Sequence, residues 1–102
     1  MITRVWRGWT AAENADAYER FLIEDMFPSM RAISGFHDAD VLHRPEGEDE
    51  VSFITLTRFD SLDAVRAFAG DDYEAPVIEP QARALLSRYD EQVLHFETVE
   101  FR

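Results

Sequence analysis

Val51–Gly70 reads VSFITLTRFDSLDAVRAFAG. Its first half, Val51–Phe59, is rich in β-branched and aromatic side chains, which suit a pleated surface, and is expected to be a central strand. Asp60 and Ser61 end that strand. Their short side chains can accept hydrogen bonds from the free amides of a first helical turn, and Leu62, Val65, Phe68 and Ala69 follow at helical spacing. Gly70 closes the helix. The rest of the chain is expected to pack around this strand-cap-helix unit.

Upstream, Ile2–Trp9 (ITRVWRGW) alternates well enough to be a strand. Ile2, Arg4 and Trp6 lie on one face and Thr3, Val5, Arg7 and Trp9 on the other. A helix should begin near Asn14, or at Thr10 if Thr10 and Glu13 form a capping box. Tyr18, Phe21, Leu22, Met26, Met30 and Ile33 then recur at intervals of three and four, a stripe that must face a sheet. Pro28 lacks an amide hydrogen and crowds the preceding turn, so a kink or break is expected near Met26–Phe27. Gly35 ends the helix, Phe36–Arg44 is a second strand, and Pro45–Glu50 (PEGEDE) is a polar hairpin tip that makes its flanking strands antiparallel.

Downstream, Asp71–Pro80 carries two prolines and reads as irregular. Gln81–Tyr89 is expected to be a short helix with Ala82, Leu85, Leu86 and Tyr89 on one face, and Glu91–Phe101 a long closing strand. The order β-α-β-β-α-(α)-β predicts a ferredoxin-like α+β fold, a four-stranded antiparallel sheet with helices on one face. Apolar residues on both parities of the first, third and last strands predict that the other face is also covered, by association of two sheets.

At 102 residues the chain is expected to form one domain, residues 1–102. An apolar content of 46% with 13% aromatics argues against disorder. No apolar run approaches the roughly 20 residues of a membrane helix, and MITRVWRGW lacks the apolar core of a signal peptide, so a cytoplasmic protein is expected. Without cysteine, thiolate chemistry and disulfides are excluded. Ten basic residues, all arginine, stand against 21 acidic ones, for a formal charge of −11. That field repels nucleic acid and disfavours anionic membranes, and the absence of lysine excludes a Schiff base.

Taken together, the helix AYERFLIEDMFPSMRAISGF, the unit FITLTRFDSLDAVRAFAG, the segment DDYEAP and a closing strand with His95-x-Glu97 resemble the antibiotic biosynthesis monooxygenase-like domains of the dimeric α+β barrel superfamily. The resemblance spans nearly the whole chain, but it rests mostly on packing and capping positions, which specify fold better than chemistry. It implies a homodimer and a cavity between sheet and helices. Among its activities is cofactor-independent oxygenation of a small aromatic or polyketide-like molecule; the alternatives are a non-catalytic domain that binds a small hydrophobic molecule and a structural homodimer whose cavity is filled by its own side chains. Its haem-degrading branch uses an asparagine in the first strand, a tryptophan ending the helix after the third strand, and a histidine further on. Here the one asparagine is Asn14, the tryptophan position holds Phe68, and DYEAPVIEP has no histidine, so haem degradation is not expected.

Candidate chemistry is sparse. His37 and His43 lie six residues apart, about 20 Å along an extended strand, too far to share an ion, so no metal site is expected. No glycine-rich phosphate loop is present. The expectation is a protein without haem, flavin or structural metal. His95 and Glu97 share a strand face, where the carboxylate could orient the imidazole or raise its pKa, making them the candidate catalytic pair; a cross-strand polar pair is the plainer reading. Arg4, Trp6, Tyr18, Phe36, Phe68 and Tyr73 are candidate ligand-binding residues, with plain core packing as the alternative for the aromatics. Arg4 and Arg7, in an otherwise apolar strand, would contact an anion or, more simply, pair with neighbouring acids. The last strand should lie beside the first, but parity does not give the register that would bring His95 to Arg4 and Trp6.

Overall fold

The computed structural model describes residues 1–102. Strand β1 (Ile2–Ala11) leads through a 3₁₀ turn (Ala12–Asn14) into a helical rod of α1 (Ala15–Phe21), a π-helical segment (Leu22–Met26) and α2 (Phe27–Met30). Asn14 precedes α1, but its side chain makes no capping bond. Thr10 is fully buried inside β1, so the Thr10–Glu13 capping box does not form. Nor does Pro28 break the rod. The backbone stays right-handed helical at Leu22 (φ −62°, ψ −47°) and Phe27 (φ −61°, ψ −43°). Instead, the π turn just before the proline widens the helix where the ring would otherwise meet the carbonyl of Glu24.

Strands β2 (Phe36–Glu46) and β3 (Glu50–Phe59) form the expected hairpin, closed at Glu46 opposite Glu50, with Gly47 in a positive-φ turn. The Ser61 hydroxyl then accepts from the Ala64 amide and starts α3 (Leu62–Ala69), which ends at Gly70 with φ +83°. Upstream, the rod ends at Met30 rather than at Gly35, which holds the turn into β2 at φ +91°.

The C-terminal third departs from expectation. Helix α4 spans only Pro80–Leu85, and Leu86–Tyr89 is strand β4. Leu86 and Tyr89 have helical spacing, but pairing with β1 overrides it: Leu86 lies opposite Thr10 and Tyr89 opposite Gly8. Leu86 fills the space left by the missing side chain of Gly8, where an added Cβ would come within 2.9 Å of it. The closing strand β5 is only Leu94–Glu97. Glu97 lies opposite Ile2, and the Thr98 amide donates to the Met1 carbonyl just beyond the paired strand.

The sheet is antiparallel throughout, ordered β2-β3-β1-β4, with β5 also paired to β1. Five strands thus stand where four were expected, because the last edge is divided: β4 pairs Gly8–Thr10 and β5 pairs Ile2–Val5. This is the ferredoxin-like order, with α+β architecture. No helix is long and apolar enough to cross a membrane.

Side-chain alternation gives the sheet two unlike faces. Toward the helices, Phe53 meets Tyr18 edge-on at 4.9 Å, and Phe59 packs with Met30, Ala64 and Val65. The other face has no helix on it. An apolar stripe crosses it from Leu42 through Ile54, Leu56 and Val5 to Leu94 and Phe96, with Leu42, Leu94 and Phe96 50%, 56% and 51% exposed. Ion pairs flank the stripe. Arg58 bridges Asp38 and Asp40 at one end; Arg7–Glu46 and Arg88–Glu50 lie at the other.

Candidate functional site

The space between sheet and helices is built by β-strand alternation below and helical periodicity above. Arg4 and Trp6 on β1 lie opposite Thr57 and Thr55 on β3, and these four side chains form its floor. The rod covers it with Tyr18, Phe21, Leu22, Met26, Phe27 and Met30. Phe68, Pro76–Ile78, Ala82 and Val93 close the sides. The space is partly open, and its volume is about 40 Å³, against the roughly 10–15 Å³ that one water occupies by the same measure. A wider outer depression of about 470 Å³ adjoins it. Phe21, Met26 and Phe68 border both, and the depression is rimmed by Asp25, Ser29, Glu79 and Gln81.

Twelve of the sixteen lining residues are hydrophobic, and none is acidic or a histidine. Burial pushes the ionisation of the Tyr18 hydroxyl above the ordinary tyrosine range, so it remains a neutral phenol. Burial also pulls the Arg4 guanidinium down to about 10, which leaves it charged at neutral pH.

Arg4 is held from the β5 side. Its Nη1 donates to the Tyr73 carbonyl at 2.6 Å and to His95 Nε2 at 2.9 Å, and its Nη2 donates to the Ala75 carbonyl at 3.3 Å. The β1–β5 register sets Arg4 directly opposite His95, which the sequence pattern left undetermined. A guanidinium only donates, so Nε2 accepts and the imidazole is neutral, with its proton on Nδ1. Desolvation first, then the Arg4 charge, lowers the His95 pKa, with Glu74 opposing.

Not every expected residue reaches the site. Arg4, Trp6, Tyr18 and Phe68 line the cavity; Phe36 and Tyr73 do not. Phe36 packs edge-on against Phe59 at 5.7 Å, while Tyr73 contributes its carbonyl to Arg4 and sets its ring edge-on to His95 at 5.2 Å. His95 stands behind Arg4 rather than on the cavity wall. Glu97 is exposed, and the partner of the imidazole is Arg4, so the expected carboxylate-imidazole pair is replaced by a cation-imidazole pair and the pKa moves down instead of up. Arg7 pairs with Glu46 at 3.2 Å, as expected of an arginine in so acidic a chain, whereas Arg4 has no carboxylate partner. His37 and His43 are separately engaged, by Asp60 and Glu19. Thr55 and Thr57 were missed as site residues, although two threonines between Phe53 and Phe59 on one strand face are a readable polar interruption.

The lowered His95 pKa has a sign. An unfolded chain binds the proton near the ordinary value of 6.5 and the folded one only at lower pH, so folding stability should drop as pH falls below that value. His95→Gln, which keeps an acceptor for Arg4 but does not titrate, is expected to remove that part of the slope in denaturant titrations.

No protein-family model matches the chain, and no curated protein matches it by sequence. Its fold matches solved structures over nearly its whole length. SnoaB, a cofactor-independent oxygenase from Streptomyces nogalater, here as a variant, is 20% identical with a TM-score of 0.65, covering 98% of this chain and 94% of that one. The heme-degrader MhuD from Mycobacterium tuberculosis is 18% identical with a TM-score of 0.61, covering 100% and 99%. A candidate antibiotic biosynthesis monooxygenase from Deinococcus radiodurans is 14% identical with a TM-score of 0.67, covering 100% and 96%. The chain therefore has the antibiotic biosynthesis monooxygenase-like fold. The cavity does not suit haem: no histidine lines it, and His95 Nε2 is engaged by Arg4.

Proposed function

We propose that the cavity binds a small aromatic or polyketide-like molecule, and that the protein is a cofactor-independent monooxygenase of that molecule, working as a homodimer joined through the open sheet face. The observation that carries this is a partly open, mostly apolar space lined by a few polar residues, Arg4, Tyr18, Thr55 and Thr57. The fold shared with SnoaB supports the reaction class. In such a reaction a substrate methylene and dioxygen give a carbonyl and water; the substrate supplies all four electrons, and the protein binds, orients and excludes water. Even a single aromatic ring exceeds the inner volume of about 40 Å³, since a cavity that holds benzene measures roughly 150 Å³. The ligand would fill the cavity and the outer depression together, displacing the Met26 and Phe68 side chains that border both.

A second reading, a binding protein that sequesters such a molecule, is favoured by one observation: the lining contains no carboxylate or histidine to act as a base. Dioxygen uptake with a panel of anthrones and polycyclic phenols, without added cofactor, separates the two. Uptake coupled to ketone formation supports the oxygenase, binding without uptake supports the sequestering protein, and neither overturns both.

A further inference from the structure

We propose that the ligand of this cavity is an anion: an aromatic or polyketide-like acid whose phenolate, enolate or carboxylate oxygen lies against Arg4. This rests on the reading of the cavity as a ligand site and adds the chemical class of its occupant.

The chain carries 21 acidic residues against ten arginines. Yet Arg4, 5% exposed and the only buried arginine, has no carboxylate partner. The cavity it lines has no acidic residue either, so a protein of charge −11 encloses a pocket of positive sign. Burying an uncompensated cation is costly, and a chain so rich in acids could have neutralised it. Two carbonyls and a neutral imidazole hold the guanidinium in place without cancelling its charge. Of the five N–H donors of an arginine, these contacts use three and leave two uncommitted. The guanidinium carbon lies over the Phe68 ring, 5.6 Å from its centre, so an aromatic surface borders the charge inside the same cavity.

The same arrangement answers the absence of a base in the lining. A phenol or enol bound against a buried cation ionises at lower pH than in water and releases its proton to solvent, so no side chain has to accept it. Asp25 and Glu79 at the rim of the outer depression disfavour an anion there, which confines the preference to the inner cavity.

The probes are 4-nitrophenol, whose ionisation is visible by absorbance, and nitrobenzene, which lacks the ionising oxygen. Wild-type protein should bind the phenolate about ten- to a hundredfold more tightly than nitrobenzene, the worth of a charge-assisted hydrogen bond in a dry site, and should lower the pH at which bound nitrophenol ionises. Arg4→Met should lose about tenfold or more in phenolate affinity while changing nitrobenzene affinity by less than about twofold, and Arg4→Lys should restore part of the loss. The wild-type comparison stands even if Arg4→Met does not fold. Equal binding of the two probes, or equal loss of both in Arg4→Met, overturns the inference, leaves the cavity reading intact and makes Arg4 a clamp for the Tyr73–Ala75 loop. Failure of nitrobenzene and nitrophenol alike to bind wild-type protein overturns the cavity reading and the inference with it.

Discussion

Phe59→Ala is expected to destabilise the fold by about 3–5 kcal/mol, the usual cost of emptying a phenylalanine site in a closed core. Phe59 is 0% exposed at the end of β3, where three elements meet. Phe36 stands edge-on to it at 5.7 Å, Phe68 lies tilted beside it at 6.1 Å, and Met30, Ala64 and Val65 complete its surroundings. The rod and α3 are both anchored on this ring, so neither can close over the cavity left behind. A domain of this size gives up about 4–8 °C of melting temperature per kcal/mol, which makes the loss large in a thermal scan. Ile23→Ala, at a site 53% exposed on the rod, should change stability by no more than about 0.5 kcal/mol. Similar melting temperatures for the two variants would mean that Phe59 is not a keystone of the packing.

The second large effect concerns association. If two copies meet through the open sheet face, wild-type protein should sediment at micromolar concentration with twice the mass of one chain. Val5→Glu should weaken the dimer by about a hundredfold or more. Val5 sits in the middle of the apolar stripe, opposite Leu56 on one side and Leu94 on the other. The arginines nearest it on that face, Arg7 and Arg58, are already paired with Glu46 and with Asp38 and Asp40, so a carboxylate there would be buried against its symmetry mate in an already acidic protein. In a lone chain the same side chain faces water, so helical and sheet signals in circular dichroism should survive. The layout suits an interface core with a polar rim, since the ion pairs of Arg58, Arg7 and Arg88 border the stripe. A wild-type monomer at that concentration contradicts the association.

The readable and unreadable parts of the chain divide along a physical line. Val51–Gly70 was legible because its signals are local: β-branched alternation, a serine cap and a glycine stop all act within a turn of themselves, and β3, the Ser61 cap and α3 follow them. Leu86–Tyr89 was misread as helix because its outcome depends on a distant residue, Gly8, whose missing side chain admits Leu86 to the sheet. At the candidate site, alternation correctly placed Arg4 and Trp6 on one face and helical spacing placed Tyr18. The partner of His95 was set by strand register, which no local pattern encodes, so the imidazole met Arg4 and not Glu97.

Whether the space between sheet and helices takes up a ligand is tested most directly by amide chemical-shift mapping of the labelled protein with 1-naphthol. The expected result is a saturable set of shifts at Thr55, Thr57, Phe68 and Val77, with Leu42, Leu94 and Phe96 on the open face unmoved. Shifts confined to those open-face residues, or no saturable shifts at all, would contradict it.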